Sequence, residues 1–290
     1  MGFTLILALF AASAASQQRY APPERPEWNL PVEPFRVVGN IYYVGAANVS
    51  AILITTDAGH ILIETGFRET VPLIEANVRK LGFRFEDIRL LLSSHAHYDH
   101  SGGLADVKAA TGARFLSSPA EEAAFARGGT GDFAFGNRYP FPPVQPDGLL
   151  RDGEVVRLGD FSLTTHFTPG HTKGCVSFST QVREGPRSYH VLFPCSLTAP
   201  GYELVGNVAY PDIVQDFESS IAKLRSLPCD IFNPHHRSAT RMLEISRTRT
   251  DPEQENPFLD RAGCSAYLDS AHAALRDQIQ VQLKRDRTGP

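Results

Sequence analysis

Between Ser94 and Gly103 the chain reads SHAHYDHSGG, so His95, His97, Asp99 and His100 place four potential metal ligands within six positions. Imidazoles with one carboxylate suit Zn(II). On an extended strand end His95 and His97 share a direction, because side chains two apart point the same way. The turn that follows can aim Asp99 and His100 at a second point. Two more histidines stand directly after strand-like segments: His171 in Thr-Pro-Gly-His-Thr-Lys-Gly and His235 in Asn-Pro-His-His. Six ligands then divide into two triads, His95, His97 and His171 against Asp99, His100 and His235, with His236 competing for the last place. Three protein ligands per ion leave positions open for water, as a catalytic centre requires. His60, His166, His190 and His272 lack such settings and read as ordinary polar residues.

The elements that must position these groups are visible in the hydrophobic pattern. The apolar run Ile88–Leu92 reads as a buried strand that delivers the ligand cluster to its end. Strand-like runs over 35–38, 41–44, 51–55 and 61–63 are separated by turn residues such as Gly39-Asn40. A helix is predicted over 70–81, with Thr70 as cap, Ile74, Val78 and Leu81 as its apolar stripe, and Gly82 after it. Another is predicted over 104–110, stopped by Gly112. In the second half, alternation over 161–167 and 176–182 reads as two half-buried strands. Phe217, Ile221 and Leu224 stripe a helix capped by Asp216, and Leu268, Leu275, Ile279 and Leu283 stripe the last one. The glycine- and proline-rich segment 128–148 carries Phe133, Phe135, Tyr139 and Phe141, and a loop of that length in a compact domain is more often functional than idle. No linker divides the halves. The expected architecture is α/β, one four-layer αββα sandwich of two similar βα halves over 35–290.

Composition narrows the function classes. With 290 residues, 42% hydrophobic and 21% charged, the chain can bury a sizeable core. A net charge of -4 without a Lys/Arg-rich block excludes a nucleic-acid footprint. The opening MGFTLILALFAASAASQQ has an apolar run too short to span a bilayer and then small residues, as a secretory signal does. The expectation is a signal peptide over 1–16, an extended proline-rich arm over 17–34 and a periplasmic, exported protein with no membrane segment after removal of the signal. Export makes disulfides stable. Four cysteines allow three connectivities; a Cys229–Cys264 bridge would tie the last helix to the body by about 3–4 kcal/mol in the loop-entropy model. Cys175 and Cys195, each on or beside a predicted strand, are open to pairing as well.

HAHYDH, the TPGH turn and the late PH turn resemble the metallo-β-lactamase superfamily over almost everything after the signal. That resemblance implies the αββα fold with its site between two sheet edges, and a hydrolase acting through a metal-bound hydroxide on two Zn(II) ions per chain. Thioester hydrolases, lactonases and nucleases of the superfamily typically place a metal-bridging Asp in the segment where this chain has Ser196. Ser196, Thr198 and Pro-Gly-Tyr202, with Leu-Pro-Cys229-Asp and Gly-Cys264, are similar to the third subclass of class B β-lactamases, in which these two cysteines are commonly bridged. The implied substrate is a small-molecule β-lactam antibiotic, hydrolysis of which confers resistance. Ser196 and Thr198 would bind its carboxylate, Tyr202 would approach the oxyanion, and Asp99 would bind metal and steer the water proton. The alternative is hydrolysis of another strained ester, lactone or thioester on the same scaffold, and a monomer is favoured. Glu64 stands where the superfamily usually has a metal-orienting Asp, and His236 replaces a common Pro.

Overall fold

The computed structural model describes residues 25–233, 236, 239–248 and 254–288. The signal peptide expected over 1–16, the first part of the arm (17–24) and His235 lie outside the described residues. Alternating apolar residues build two sheets that bury one face against each other. In the first, β1 (Phe35–Val38), β2 (Ile41–Tyr43), β3 (Ile52–Thr56) and β4 (Gly59–Ile63) form an antiparallel meander. After helix α1 (Val71–Lys80) the chain returns as β5 (Ile88–Leu92), parallel to β4. The short helix α2 (Tyr98–Ser101), α3 (Leu104–Thr111), β6 (Arg114–Ser117) and α4 (Pro119–Ala126) follow, and β7 (Gly148–Leu149) completes a seven-stranded sheet among the described residues.

The second sheet runs antiparallel through β8 (Val155–Leu158), β9 (Phe161–Phe167), β10 (Val176–Glu184) and β11 (Arg187–Phe193). After α5 (Ile213–Arg225), β12 (Ile231–Phe232) adds in parallel to β11, and α6 (Ala239–Arg247) and α7 (Arg261–Thr288) end the chain's described elements. Ile54, Ile63 and Leu92 from one sheet and Leu163, Phe178 and Phe193 from the other meet in the central core, all buried. Each such side chain contributes about 1.5–3 kcal/mol when removed from water. Outside the first sheet, Ile74, Val78 and Val107 pack on its other face, and Phe217, Leu224, Leu268 and Leu275 do the same for the second. The result is the four-layer αββα order. No helix among the described residues is long and apolar enough to cross a membrane.

Most predicted elements lie where the pattern places them, including α1 and the left-handed Gly112 (φ 68°) that ends α3. One cap differs. Helix α5 begins at Ile213 after Asp212, and Asp216 lies within its first turn, accepting a hydrogen bond from the Tyr210 hydroxyl at 2.5 Å. Both disulfides form, Cys175–Cys195 and Cys229–Cys264, with Cα separations of 5.9 and 6.4 Å. The second joins the loop after α5 to the first turns of α7.

Candidate metal centre

The ligand loops gather where the two sheets end together. Beyond β5 the chain cannot continue in the sheet, and the Val176 N–H donates to the Ser94 carbonyl at 2.8 Å, stitching the second sheet to the first just before His95. His97 sits in extended backbone (φ −104°, ψ 150°) as the N-cap of α2, which turns Asp99 and His100 away from it. The His171 turn is shaped by Gly170 at φ 137°, where a Cβ would lie 2.7 Å from the Phe217 ring.

Two clusters result. Ligand atoms of His95, His97 and His171, all buried residues, lie within 4.8 Å of one another; those of Asp99, His100 and His236 lie equally close, with His100 buried and the other two partly exposed. The hydrogen bonds fix which ring nitrogens converge. His171 Nδ1 donates to the Thr198 carbonyl at 2.6 Å, so its Nε2 carries the lone pair, 3.1 Å from His97 Nδ1. His95 Nδ1 is engaged by Ser94 Oγ at 2.7 Å. In the second cluster, Nε2 of His236 is 3.0 Å from Nε2 of His100 and 3.2 Å from Asp99 Oδ2. The rings of His95 and His100 are 4.3 Å apart, so the clusters adjoin. Three imidazoles in one and two imidazoles with a carboxylate in the other are a donor set that fits metal ions.

His235 lies outside the described residues, and the described residue that joins Asp99 and His100 is His236, its competitor for the last place. Its Nδ1 donates to the Asn48 carbonyl at 2.9 Å and its ring packs against Trp28 at 4.8 Å, which aims Nε2 at Asp99. Tyr202 is buried between Phe133 and Phe135, and its hydroxyl donates to the His171 carbonyl at 3.1 Å, which ties it to the ligand turn. Ser196 and Thr198 do face the cavity, their hydroxyl oxygens 3.0 Å apart. Lys173, the neighbour of that turn, spends its ammonium on the Ala209 carbonyl at 2.8 Å.

Electrostatics prepare both triads. Burial, reinforced by the charge of His97, pushes His171 down to about 3, so it is neutral when a metal arrives. Burial opposes ionisation of Asp99, but His100 and His236 outweigh it and hold the carboxyl well below its ordinary range. Glu64 lies beneath the second triad in a left-handed conformation (φ 65°), unusual for a residue with a Cβ. That backbone turns its carboxylate onto the Ser94 N–H at 2.7 Å and the Ser93 hydroxyl at 3.0 Å, with Oε2 3.6 Å from His100 Nδ1. Burial pushes Glu64 up to about 7.

A cavity of about 570 Å³ opens over the triads, walled by Trp28, Tyr98, Phe135 and Tyr139, with Arg25 and Arg138 at its mouth. Both guanidinium groups lie over aromatic rings, Arg25 over Trp28 at 4.7 Å and Arg138 over Tyr139 at 5.1 Å. The arm and the 128–148 loop therefore both shape the site. Sequence reasoning missed Asp132 of that loop. Its Oδ1 accepts the N–H groups of Ala134 and Phe135 at 2.8 and 2.7 Å, while Oδ2 lies 3.4 Å from His97 Nε2. The Asp-Phe-Ala-Phe turn following Gly-Gly-Thr-Gly was the available signal. Behind His95, Cys195 Sγ lies 3.6 Å from His95 Nδ1.

Known proteins agree with this geometry. The family model described as the metallo-beta-lactamase superfamily matches residues 44–232. The fold is similar to FEZ-1, a metallo-β-lactamase from Legionella gormanii (TM-score 0.84, 36% identity, 89% of this chain and 99% of that one). It is similar to BJP-1, a subclass B3 metallo-β-lactamase of Bradyrhizobium japonicum (0.82, 33% identity, 89% and 98%). A Cronobacter sakazakii metallo-β-lactamase with a HARLDQ motif gives 0.82 at 38% identity over 89% and 98%; this chain has HAHYDH at 95–100. Among curated relatives, an acyl-coenzyme A thioesterase of Gallus gallus is 27% identical over 154 residues, 48% of this chain and 51% of that protein. A hydroxyacylglutathione hydrolase of Methylococcus capsulatus is 35% identical over 107 residues, 37% of this chain and 33% of that protein. The chain thus spans about half or less of those two relatives. Two ligand triads at the joined ends of two sheets, the match over 44–232 and the likeness of nearly full-length folds lead to one conclusion: this chain belongs to the metallo-β-lactamase superfamily.

Proposed function

We propose that the protein is an exported, periplasmic β-lactamase that holds two Zn(II) ions, one on His95, His97 and His171 and one on Asp99, His100 and His236, and opens the lactam amide of β-lactam antibiotics. The observation that carries this reading is the Ser196–Thr198 hydroxyl pair beside the triads, neutral where an ester or thioester hydrolase of this superfamily would place a bridging carboxylate. The near-complete overlap with solved metallo-β-lactamases supports it. Bound Zn(II) would supply a water acidified to a pKa of about 7 and a Lewis-acid contact for the lactam carbonyl.

The chain's own residues do the rest. Asp99, held ionised by its two histidine neighbours, is placed to accept a proton from the attacking water at Oδ2. Ser196 Oγ and Thr198 Oγ1 donate to the substrate carboxylate. Arg25 and Arg138 favour anionic substrates at the mouth, and the aromatic wall receives apolar side groups and keeps bulk water off them.

A second reading, thioester hydrolysis, is favoured by the curated relatives named above. The two are separated by kcat/KM of zinc-loaded protein for a cephalosporin, a long-chain acyl-coenzyme A and a hydroxyacyl-glutathione thioester. The proposal expects the cephalosporin to lead by at least about 100-fold, which is a ΔΔG‡ of about 3 kcal/mol. Thioester turnover exceeding it would replace the proposal by the second reading.

A further inference from the structure

The geometry points to Glu121 as a positioning residue that locks together the two loops of the first triad, an inference that rests on the metallo-hydrolase reading of the site. Glu121 lies in the first turn of α4, is 3% exposed, and is no part of either ligand cluster. Its Oε2 accepts the Ala96 N–H at 2.8 Å, and its Oε1 accepts the Gly174 N–H at 2.9 Å. Ala96 is the residue between His95 and His97, and Gly174 is three residues past His171. One carboxylate therefore spans the only two loops that supply the triad.

The same helix end grips Gly174 from its other side, since Ser118 Oγ donates to the Gly174 carbonyl at 2.6 Å. Nothing larger than glycine fits there: a Cβ would lie 2.5 Å from Ser118 Oγ and 2.6 Å from Glu121 Cγ. Burying a carboxylate is costly unless strong hydrogen bonds compensate, and a residue serving only to fill space would be apolar. What the charge gains is two charge-assisted bonds to backbone groups that belong to different sheets' ends. Ring orientations show what depends on them. The His95 ring stands at 82° to that of His97 and at 90° to that of His171, so a small rotation of either loop turns a nitrogen away from the shared point. Glu64 has the corresponding place under the second triad, and Glu121 makes no contact with Asp99, His100 or His236 among its hydrogen bonds.

Glu121→Gln preserves shape but replaces one acceptor by an NH2 donor, which must then face a backbone N–H. One loop is released. Metal-free wild-type, E121Q and H171A proteins are titrated with Co(II), the d–d absorption is recorded, and affinities are set by a competing chelator; H171A supplies the spectrum of the second site alone. The expected result is first-site affinity lowered about 10–100-fold in E121Q, second-site affinity unchanged, and a melting temperature of the metal-free variant close to wild type. Both sites at wild-type affinity, or both weakened equally in step with a lower melting temperature, would overturn the inference. Should E121Q not fold, Glu121→Asp, which is one methylene shorter and reaches one loop only, carries the same expectation. If wild-type protein fails to bind metal at the first triad, the metal-centre reading falls, and the role of Glu121 with it.

Discussion

Glu64 shows how much a single buried carboxylate can be asked to do. Its pKa is raised to about 7 from 4.5 by burial, against the pull of the Ser93 and Ser94 hydrogen bonds. A raised acid binds more protons folded than unfolded, so its contribution to stability is complete below about 4.5 and is lost as pH rises through about 7. In metal-free protein, Glu64→Gln removes that loss. Denaturant melts should show the stability difference moving in favour of Gln by about 3 kcal/mol between pH 4.5 and pH 8; a difference independent of pH would mean that Glu64 does not titrate in this range. The role proposed for Ser196 is of a different kind, contact with the substrate apart from the ligand nitrogens. Ser196→Ala should raise KM for anionic lactams about 10-fold, the value of a lost charge-assisted hydrogen bond, with zinc content unchanged. An unchanged KM would remove Ser196 from carboxylate binding.

The strands and helices that carry the ligands were legible because periodicity reports burial directly: β5 alternates little because both its faces are covered, and α1 repeats at helical spacing. The histidines and Asp99 were legible for another reason, since their types and spacing are improbable without a metal to hold. What was not legible depends on contacts far apart in sequence. The place of His236 beside Asp99 rests on the Asn48 carbonyl and on Trp28, both from the other half of the chain. Asp132 and Glu121 read as ordinary acidic residues until the loop and α4 bring them under the ligand loops. Nor does the Pro-Gly-Tyr202 turn announce that Phe133 and Phe135 of the 128–148 loop close over its ring. Strand β6 and helix α4 were missed altogether, as short elements of four and eight residues with little periodicity to display.

Taken whole, the molecule is two sheets clamped face to face with a long C-terminal helix bound to the second. Leu268 and Leu275 hold α7 by burial, and Cys229–Cys264 holds its start covalently across 35 residues. The loop-entropy model assigns such a bridge about 4 kcal/mol. Replacing both cysteines by serine should lower the melting temperature by roughly 10 °C while leaving zinc stoichiometry intact, as calorimetry and metal analysis would show; an unchanged melting temperature would mean that burial alone fixes α7. The fold gathers both candidate triads among the described residues at one edge of the sandwich, and the proposed chemistry should therefore vanish and return with the metal. The decisive measurement is hydrolysis of a carbapenem by purified zinc-loaded protein, repeated after chelation and again after zinc is restored. Turnover that is lost on chelation and recovered with zinc is the expected result. Protein that binds two zinc ions at the triads and leaves the lactam intact would contradict the β-lactamase assignment.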